Sequence, residues 1–305
     1  MQFSFTYPMA TGDHDPALTT RNGMYSVLAA AEAGGFGAVG FTDHPIPSQR
    51  WLEAGGHETL DPFAALAFCA AATEQIRLMT NVAVIPYRNP FLVAKMVATV
   101  DVLSDGRAIL GAGTGYLRSE YRALGVDFDK RNELFEEALE AIISSWSGDE
   151  VTLEGSHFHA SGNQARPRPV QRPHPPIWIG GNSGRARQRV AATAQGWMPF
   201  PTSPQLAATA RTAPLATRQE LAPMLEDLWR RLEAVGRETA VDVHFVCPDG
   251  GSPAGHDFDV DAHLTGLNAL EELGVNWVGV SVPGDRLERT VEVLQRYGEE
   301  VIRRS

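Results

Sequence analysis

From one end to the other the chain alternates a short apolar run, a turn and an amphipathic helical pattern, eight times over. The apolar runs are FSFTYP, AVGFTDH, RLMTNVAVIP, RAILGAGTGY, PIWIGGN, GWMPF, VDVHFVCP and NWVGVSVPG. Between them lie helical stretches such as MYSVLAAAEAGG, PFAALAFCAAAT and RNELFEEALEAIISSW. Several end at glycine, at Gly35, Gly106, Gly236 and Gly274, the residue that most easily turns left-handed to close a helix. Strands that are apolar on both faces, each followed by a helix, specify an α/β fold of the (β/α)8 TIM-barrel type. The rival, a doubly wound sheet, needs a point where strand order reverses, and nothing marks one. A length of 305 residues suits one such barrel, so residues 1–305 are expected to form a single domain. The least regular part is Asp149–Pro176, with VTLEGSHFHASG and the proline-rich RPRPVQRPHPP. It reads as an insertion after the fourth helix, expected to cover the catalytic end.

Composition narrows the partners. The formal charge of −11 repels nucleic acid and anionic membranes, and no Lys/Arg cluster interleaved with aromatics reverses it locally. A small molecule is the expected ligand. The start, MQFSFTYPMATGDHDP, lacks a basic segment followed by an apolar core and a cleavage site, and no apolar run approaches the ~18 residues of a membrane span. A soluble, cytoplasmic protein is expected. Cys69 and Cys247 are far apart and lack metal-ligand spacing, which suits buried thiols. His157 and His159 raise metal-dependent hydrolysis as a different class of function. That pair falls in the insertion with no obvious carboxylate partner, and no metal site is expected.

In a barrel of this kind, active sites lie at the carboxyl ends of the strands. Asp43 and His44 stand where the second apolar run stops, so they project into the mouth; alternatively Asp43 caps the next segment and His44 packs under a loop. The fourth run ends GAGTGY, where Gly111, Gly113 and Gly115 let backbone approach a flat or charged ligand, or ease a tight barrel corner. The fifth carries IWIGGNSGRARQRVA. Gly180 and Gly181 leave N–H groups accessible, Asn182 or Ser183 can cap the following helix, and that positive helix start makes a phosphate seat. Arg185, Arg187 and Arg189 add positive charge, although helical spacing turns at least one away. The alternative is a capped helix with a solvated basic face.

Taken in order, FTDHP, the continuous stretch RLMTNVAVIPYRNPFLVAKMVATVDVLSDGRAILGAGTGY, RNELFEEALEAI and PRPVQRPHPPIWIGGNS resemble the bacterial luciferase-like superfamily of flavin and deazaflavin barrel oxidoreductases, over nearly the whole chain. The sequence is most similar to the branch that uses coenzyme F420 and transfers hydride at the deazaflavin ring. The resemblance implies that Asp43 contacts the cofactor and that His44 sits near the reacting carbon as proton donor or acceptor. It implies a cis peptide at Asn81–Val82 supporting the ring, and a cofactor tail received by Gly113, Thr114 and Gly115 and by Gly180, Gly181, Asn182 and Ser183. Sugar-phosphate dehydrogenases of the family carry a Glu directly after the strand-four glycines, where this chain has Tyr116, so their substrate does not transfer. Trp51, Tyr116 and Trp197, with Tyr87, are candidates to line the substrate side. FMN is the alternative cofactor, in a two-component monooxygenase. A cofactor-reducing enzyme is the implied redox partner, and a homodimer is in keeping with the family. A non-catalytic flavin-binding barrel is the remaining alternative.

Overall fold

The strand at the amino terminus, Gln2–Thr6, pairs in parallel with Ala38–Phe41 on one side and Trp277–Val280 on the other, and so closes the sheet on itself. In this computed structural model, residues 1–9, 14–148, 150–204, 207–208 and 211–305 are described. The chain runs β1 (Gln2–Thr6), α1 (Arg21–Gly34), β2 (Ala38–Phe41), α2 (Gln49–Glu53), α3 (Pro62–Ala72), β3 (Arg77–Thr80), β4 (Ala83–Val84), α4 (Pro90–Leu103), β5 (Ala108–Gly113) and α5 (Arg118–Ala123). It continues with α6 (Arg131–Ser147), the hairpin β6 (Val151–Glu154) and β7 (His159–Asn163), β8 (Ile177–Gly180), α7 (Gly184–Thr193) and β9 (Gly196–Met198). Last come α8 (Arg218–Ala234), β10 (Asp242–Phe245), α9 (Val260–Glu272), β11 (Trp277–Val280) and α10 (Leu287–Glu300).

The pairings between barrel strands are parallel, in the order β1, β2, β3, β5, β8, β9, β10, β11 and back to β1. This is the (β/α)8 barrel that the alternation specifies. Its third position is split into β3 and β4 at a cis peptide between Asn81 and Val82. Local chemistry agrees with the pattern. Asp61 caps α3 by accepting from Phe63 N and Ala64 N, with Pro62 at the first helical position. Gly35 closes α1 at φ 85°, and Gly106, Gly236 and Gly274 also take positive φ after their helices.

Two apolar layers hold the barrel. Inside, Ala38, Met79, Ile109, Trp178, Met198 and Trp277 fill its lower half. Burying side chains such as Met79 and Ile109 stabilises the fold by about 1.5–3 kcal/mol each. Outside, the opposite faces of the strands pack on the helices. Cys69 is fully buried and Cys247 partly so, both unpaired. Among the described residues no helix is long and apolar enough to cross a membrane.

The insertion is not where it was expected. Its first residue, Asp149, lies outside the described residues. The rest packs against outer helices: Val151, Leu153 and Ala160 cluster with Ala141 of α6, and Glu137 of α6 accepts from the backbone N–H groups of Ser156, His157 and Phe158. Further on, Asp101 of α4 accepts from Val170 N and Gln171 N. None of the insertion's described residues lines the large cavity at the barrel mouth. The reason is topological. The segment leaves the end of a helix and enters the start of a strand, which places it at the amino ends of the strands, opposite the site.

Candidate active site

A cavity of about 740 Å³ opens at the carboxyl ends of the strands. Of the candidates read from sequence, Asp43, His44, Asn81, Val82, Gly113, Thr114, Gly115, Tyr116, Gly180, Gly181 and Ser183 border it. Asn182, Trp51, Tyr87 and Trp197 do not.

His44 forms one wall. Its Nδ1 lies 3.2 Å from Glu120 Oε2, and no partner for its Nε2 occurs among the described residues. Trp51 packs on the ring with centroids 4.6 Å apart, so it supports His44 from behind rather than facing a substrate. His57 meets the same ring edge-on at 5.0 Å and holds Thr42 Oγ1 at 2.9 Å through Nε2. Burial, and then the neighbouring His44, push the His57 imidazole down to about 4, so it is neutral at pH 7. Tyr116 stands 6.2 Å from His44, centroid to centroid. Burial and the charge of Glu120 raise its phenol above the usual value, which keeps it a hydrogen-bond donor.

Asp43 is committed elsewhere. Its carboxylate accepts from Val84 N and from both Nη atoms of Arg88, so it fixes backbone beside the cavity instead of offering a free charge. Tyr87 likewise turns its hydroxyl to Glu120 Oε2, 2.9 Å away.

The glycines have a packing cause. A Cβ on Gly113 would stand 2.8 Å from Val82 Cγ2, and one on Gly180 would stand 3.1 Å from Val82 Cγ1. Both positions leave room for the Val82 side chain beside the cavity, which agrees with the corner-easing reading.

At the far end Ser183 caps α7, accepting from Ala186 N, while Arg131, Arg185, Arg189 and Arg211 border the cavity. Arg185 and Arg189 share the carboxylate of Glu136, and Arg189 Nε is buried without a partner among the described residues. Arg187 is the one turned away, onto Asp227 at 2.7 Å. Four guanidinium groups, a helix start and an unpartnered buried donor fit a phosphate-sized anion.

Besides Trp51 and Tyr87, two further sequence expectations fail here for physical reasons. Asn182 is fully buried: its Nδ2 donates to Phe200 O and Thr202 Oγ1, and its Oδ1 accepts from Phe200 N. It clasps the loop after β9 and cannot also face a ligand. Trp197 is fully buried too, its Nε1 donating to Gly181 O at 2.9 Å. Strand alternation decides this, because Met198 takes the inward face of β9 and Trp197 must face the helices. His157 and His159 sit on the outer hairpin beside different carboxylates, Glu133 at 3.9 Å and Glu154 at 3.8 Å.

Sequence reasoning missed four groups. Glu120 and Arg131 lie on helices past the fourth strand, Arg211 in the loop after β9, and His244 on β10 at the cavity floor. His244 Nε2 lies 2.7 Å from Ser4 Oγ, and burial pushes its imidazole down to about 4.

With this geometry in view, the sequence model of a known family, described as luciferase-like monooxygenase, matches residues 1–235. The chain belongs to the luciferase-like monooxygenase family. One relative, the uncharacterized protein Rv0953c of Mycobacterium tuberculosis, is 31% identical over 197 residues, 64% of this chain. The match spans 62% of that relative, less than two thirds of its length. The FMNH2-dependent dimethylsulfone monooxygenase of Pseudomonas putida is 32% identical over 130 residues, 42% of this chain and 35% of the relative. Among solved structures, monooxygenase RslO1 from Streptomyces bottropensis superposes with a TM-score of 0.79 at 22% identity, covering 100% of this chain and 99% of that one. An F420-dependent secondary alcohol dehydrogenase superposes with a TM-score of 0.74 at 14% identity, covering 99% and 98%. At these identities the two structures establish that the luciferase-like chain shares their fold.

Proposed function

We propose that the chain is an oxidoreductase that holds coenzyme F420 in the cavity and moves hydride between it and a small organic substrate, with His44 giving or taking the accompanying proton. The observation that carries this reading is the placement of His44 on the cavity wall, its Nδ1 on a buried carboxylate and its Nε2 without a partner among the described residues. A proton acceptor or donor in such a position suits hydride transfer, which leaves or needs a proton on the substrate.

When bound, the cofactor supplies the hydride chemistry at its ring. The chain does the rest. The start of α7, Gly180, Gly181 and Ser183, with the arginines around them, would hold the phosphate of the tail. The Asn81–Val82 backbone would support a flat ring, and Thr114 and Gly115 would border the tail. His57, neutral, and Tyr116, protonated, shape the substrate side and offer hydrogen bonds there. A separate enzyme would return the cofactor to its starting redox state.

The similarity to an FMNH2-dependent monooxygenase favours a second reading, in which reduced FMN arrives from a partner reductase and oxygen is the co-substrate. Fluorescence titration of the purified chain with F420 and, separately, with FMN tests both. Micromolar or tighter binding of F420 alone supports hydride transfer. Preference for FMN, with oxygen uptake when it is reduced, supports the monooxygenase, and binding of neither overturns the two together.

A further inference from the structure

Among the described residues three carboxylates are buried almost completely: Asp43, Asp101 and Glu120. Arg88 answers Asp43, and the strap at Val170–Gln171 answers Asp101. Glu120 is different because its partners include a titratable ring that borders the cavity. Its Oε1 accepts from Ile46 N at 3.2 Å, and its Oε2 accepts from the Tyr87 hydroxyl at 2.9 Å and faces His44 Nδ1 at 3.2 Å. Burial and the charge of Glu120 raise the Tyr87 phenol well above its usual value, so Tyr87 stays a donor. The Ile46 amide can only donate. Both oxygens of Glu120 are thus engaged as acceptors, and the group left for His44 Nδ1 is an acceptor as well.

We propose that Glu120 is the positioning residue for His44: it holds the neutral imidazole in the tautomer with the proton on Nδ1 and turns an unprotonated Nε2 toward the cavity. Trp51 and His57 pack against the ring from their own elements, with Tyr116 edge-on at a greater distance, and none of the three gives Nε2 a hydrogen bond. Nε2 therefore takes up a proton from a substrate group in one direction and returns it in the other. The catalytic consequence rests on the proposed role of His44, whereas the tautomer rests on the geometry alone.

The isosteric variant Glu120→Gln makes a sharp test. A Gln side chain must point its carbonyl at Ile46 N, because its NH2 group would oppose that donor. The NH2 group then faces His44 Nδ1 and the Tyr87 hydroxyl, which can rotate to accept. Nδ1 is left to accept as well, so the proton moves to Nε2. Imidazole 15N NMR distinguishes the two tautomers, with the His44 signals assigned by their loss in His44→Ala. In the neutral ring of the wild-type protein Nδ1 is expected to be protonated and Nε2 not; in Glu120→Gln the pattern is expected to reverse. Turnover with the bound cofactor should fall at least about ten-fold in Glu120→Gln with KM little changed, because the wrong ring nitrogen carries the proton.

A wild-type ring protonated on Nε2, or a Glu120→Gln ring identical to the wild type, overturns the proposal. Should Glu120→Gln not fold, the wild-type spectrum decides by itself. If His44→Ala keeps full turnover while the tautomers behave as described, the role of His44 fails and the positioning by Glu120 stands.

Discussion

Arg88 grips Asp43 with both prongs of its guanidinium: Nη1 lies 2.6 Å from Oδ2 and Nη2 lies 2.8 Å from Oδ1. The same Oδ2 accepts from Val84 N, so one ion pair ties the end of β2 to β4, just past the Asn81–Val82 peptide. Asp43 is 2% exposed, and removing its cation would leave a carboxylate in the protein interior with only amide help. Arg88→Ala is expected to cost about 3 kcal/mol or more of stability, read from urea denaturation. Arg88→Lys, which keeps charge but loses the fork, should recover only part of it. An unchanged denaturation midpoint in Arg88→Ala would show that the pair does not hold this corner.

Asn182 is a clasp, and its loss should be felt in the loop it holds. Asn182→Ala leaves Phe200 N, Phe200 O and Thr202 Oγ1 each short of a partner, a loss of about 1–3 kcal/mol. Thr202 N donates to Leu215 O across the same loop, and its amide should exchange with solvent faster in the variant. If exchange at Thr202 is unaltered, Asn182 does not hold this loop.

How much of this was legible beforehand follows from the range over which each feature is decided. The barrel was, because alternation of apolar runs with amphipathic helices is local and repeated, and the strand-end rule then put His44, Asn81, Val82, Gly180, Gly181 and Ser183 around one cavity. Glu120 was not. It lies in the six residues of α5, where an acid in the first turn is an ordinary helix-start residue. Only tertiary packing brings it under His44, from 76 positions away. In GWMPF the order of Trp197 and Met198 carries no information about which faces inward, since three strand residues are too few to fix the phase of the alternation. The side of the barrel reached by the insertion was readable in principle, because it joins a helix end to a strand start.

The arginine end of the cavity should behave as an anion seat. Arg185 and Arg189 share one carboxylate, Glu136, and burial lowers the charge affinity of Arg189 and Arg131, each of which also feels the charge of a neighbouring arginine. An incoming phosphate relieves that repulsion. Arg189→Ala and Arg131→Ala are each expected to weaken cofactor binding about ten-fold or more, with turnover at saturation changed much less. Binding by the wild type should also weaken as salt is raised from low to physiological strength. Cofactor affinity that ignores both substitutions would move the tail elsewhere.

His44 itself is tested by removal. His44→Ala should lower turnover by about 10²-fold or more and leave cofactor affinity much less affected, the pattern of a lost acid or base. Steady-state kinetics and the titration described above read the two quantities separately. Equal loss of both would make His44 a binding residue, and no loss of turnover would remove it from the chemistry.

Acid should destabilise the fold through the cavity floor. His244 is buried against Ser4, and burial pushes its imidazole from the usual 6.5 to about 4; its native state therefore binds fewer protons than the unfolded chain between those values. Stability then rises with pH across that window, so the favourable neutral form is fully present above about 6.5 and its contribution is lost as pH falls toward about 4. The loss amounts to roughly 1–3 kcal/mol. His57, pushed down to about 4 mainly by burial, adds in the same direction by a smaller amount because it is less enclosed. Carboxylates titrate in the same range, so the informative quantity is the difference between the wild type and His244→Gln, whose amide can still meet Ser4 but takes up no proton. Urea midpoints measured from neutral to acid pH should fall less steeply in His244→Gln. Parallel curves would mean that His244 is charged, or free to turn to solvent, in the native protein.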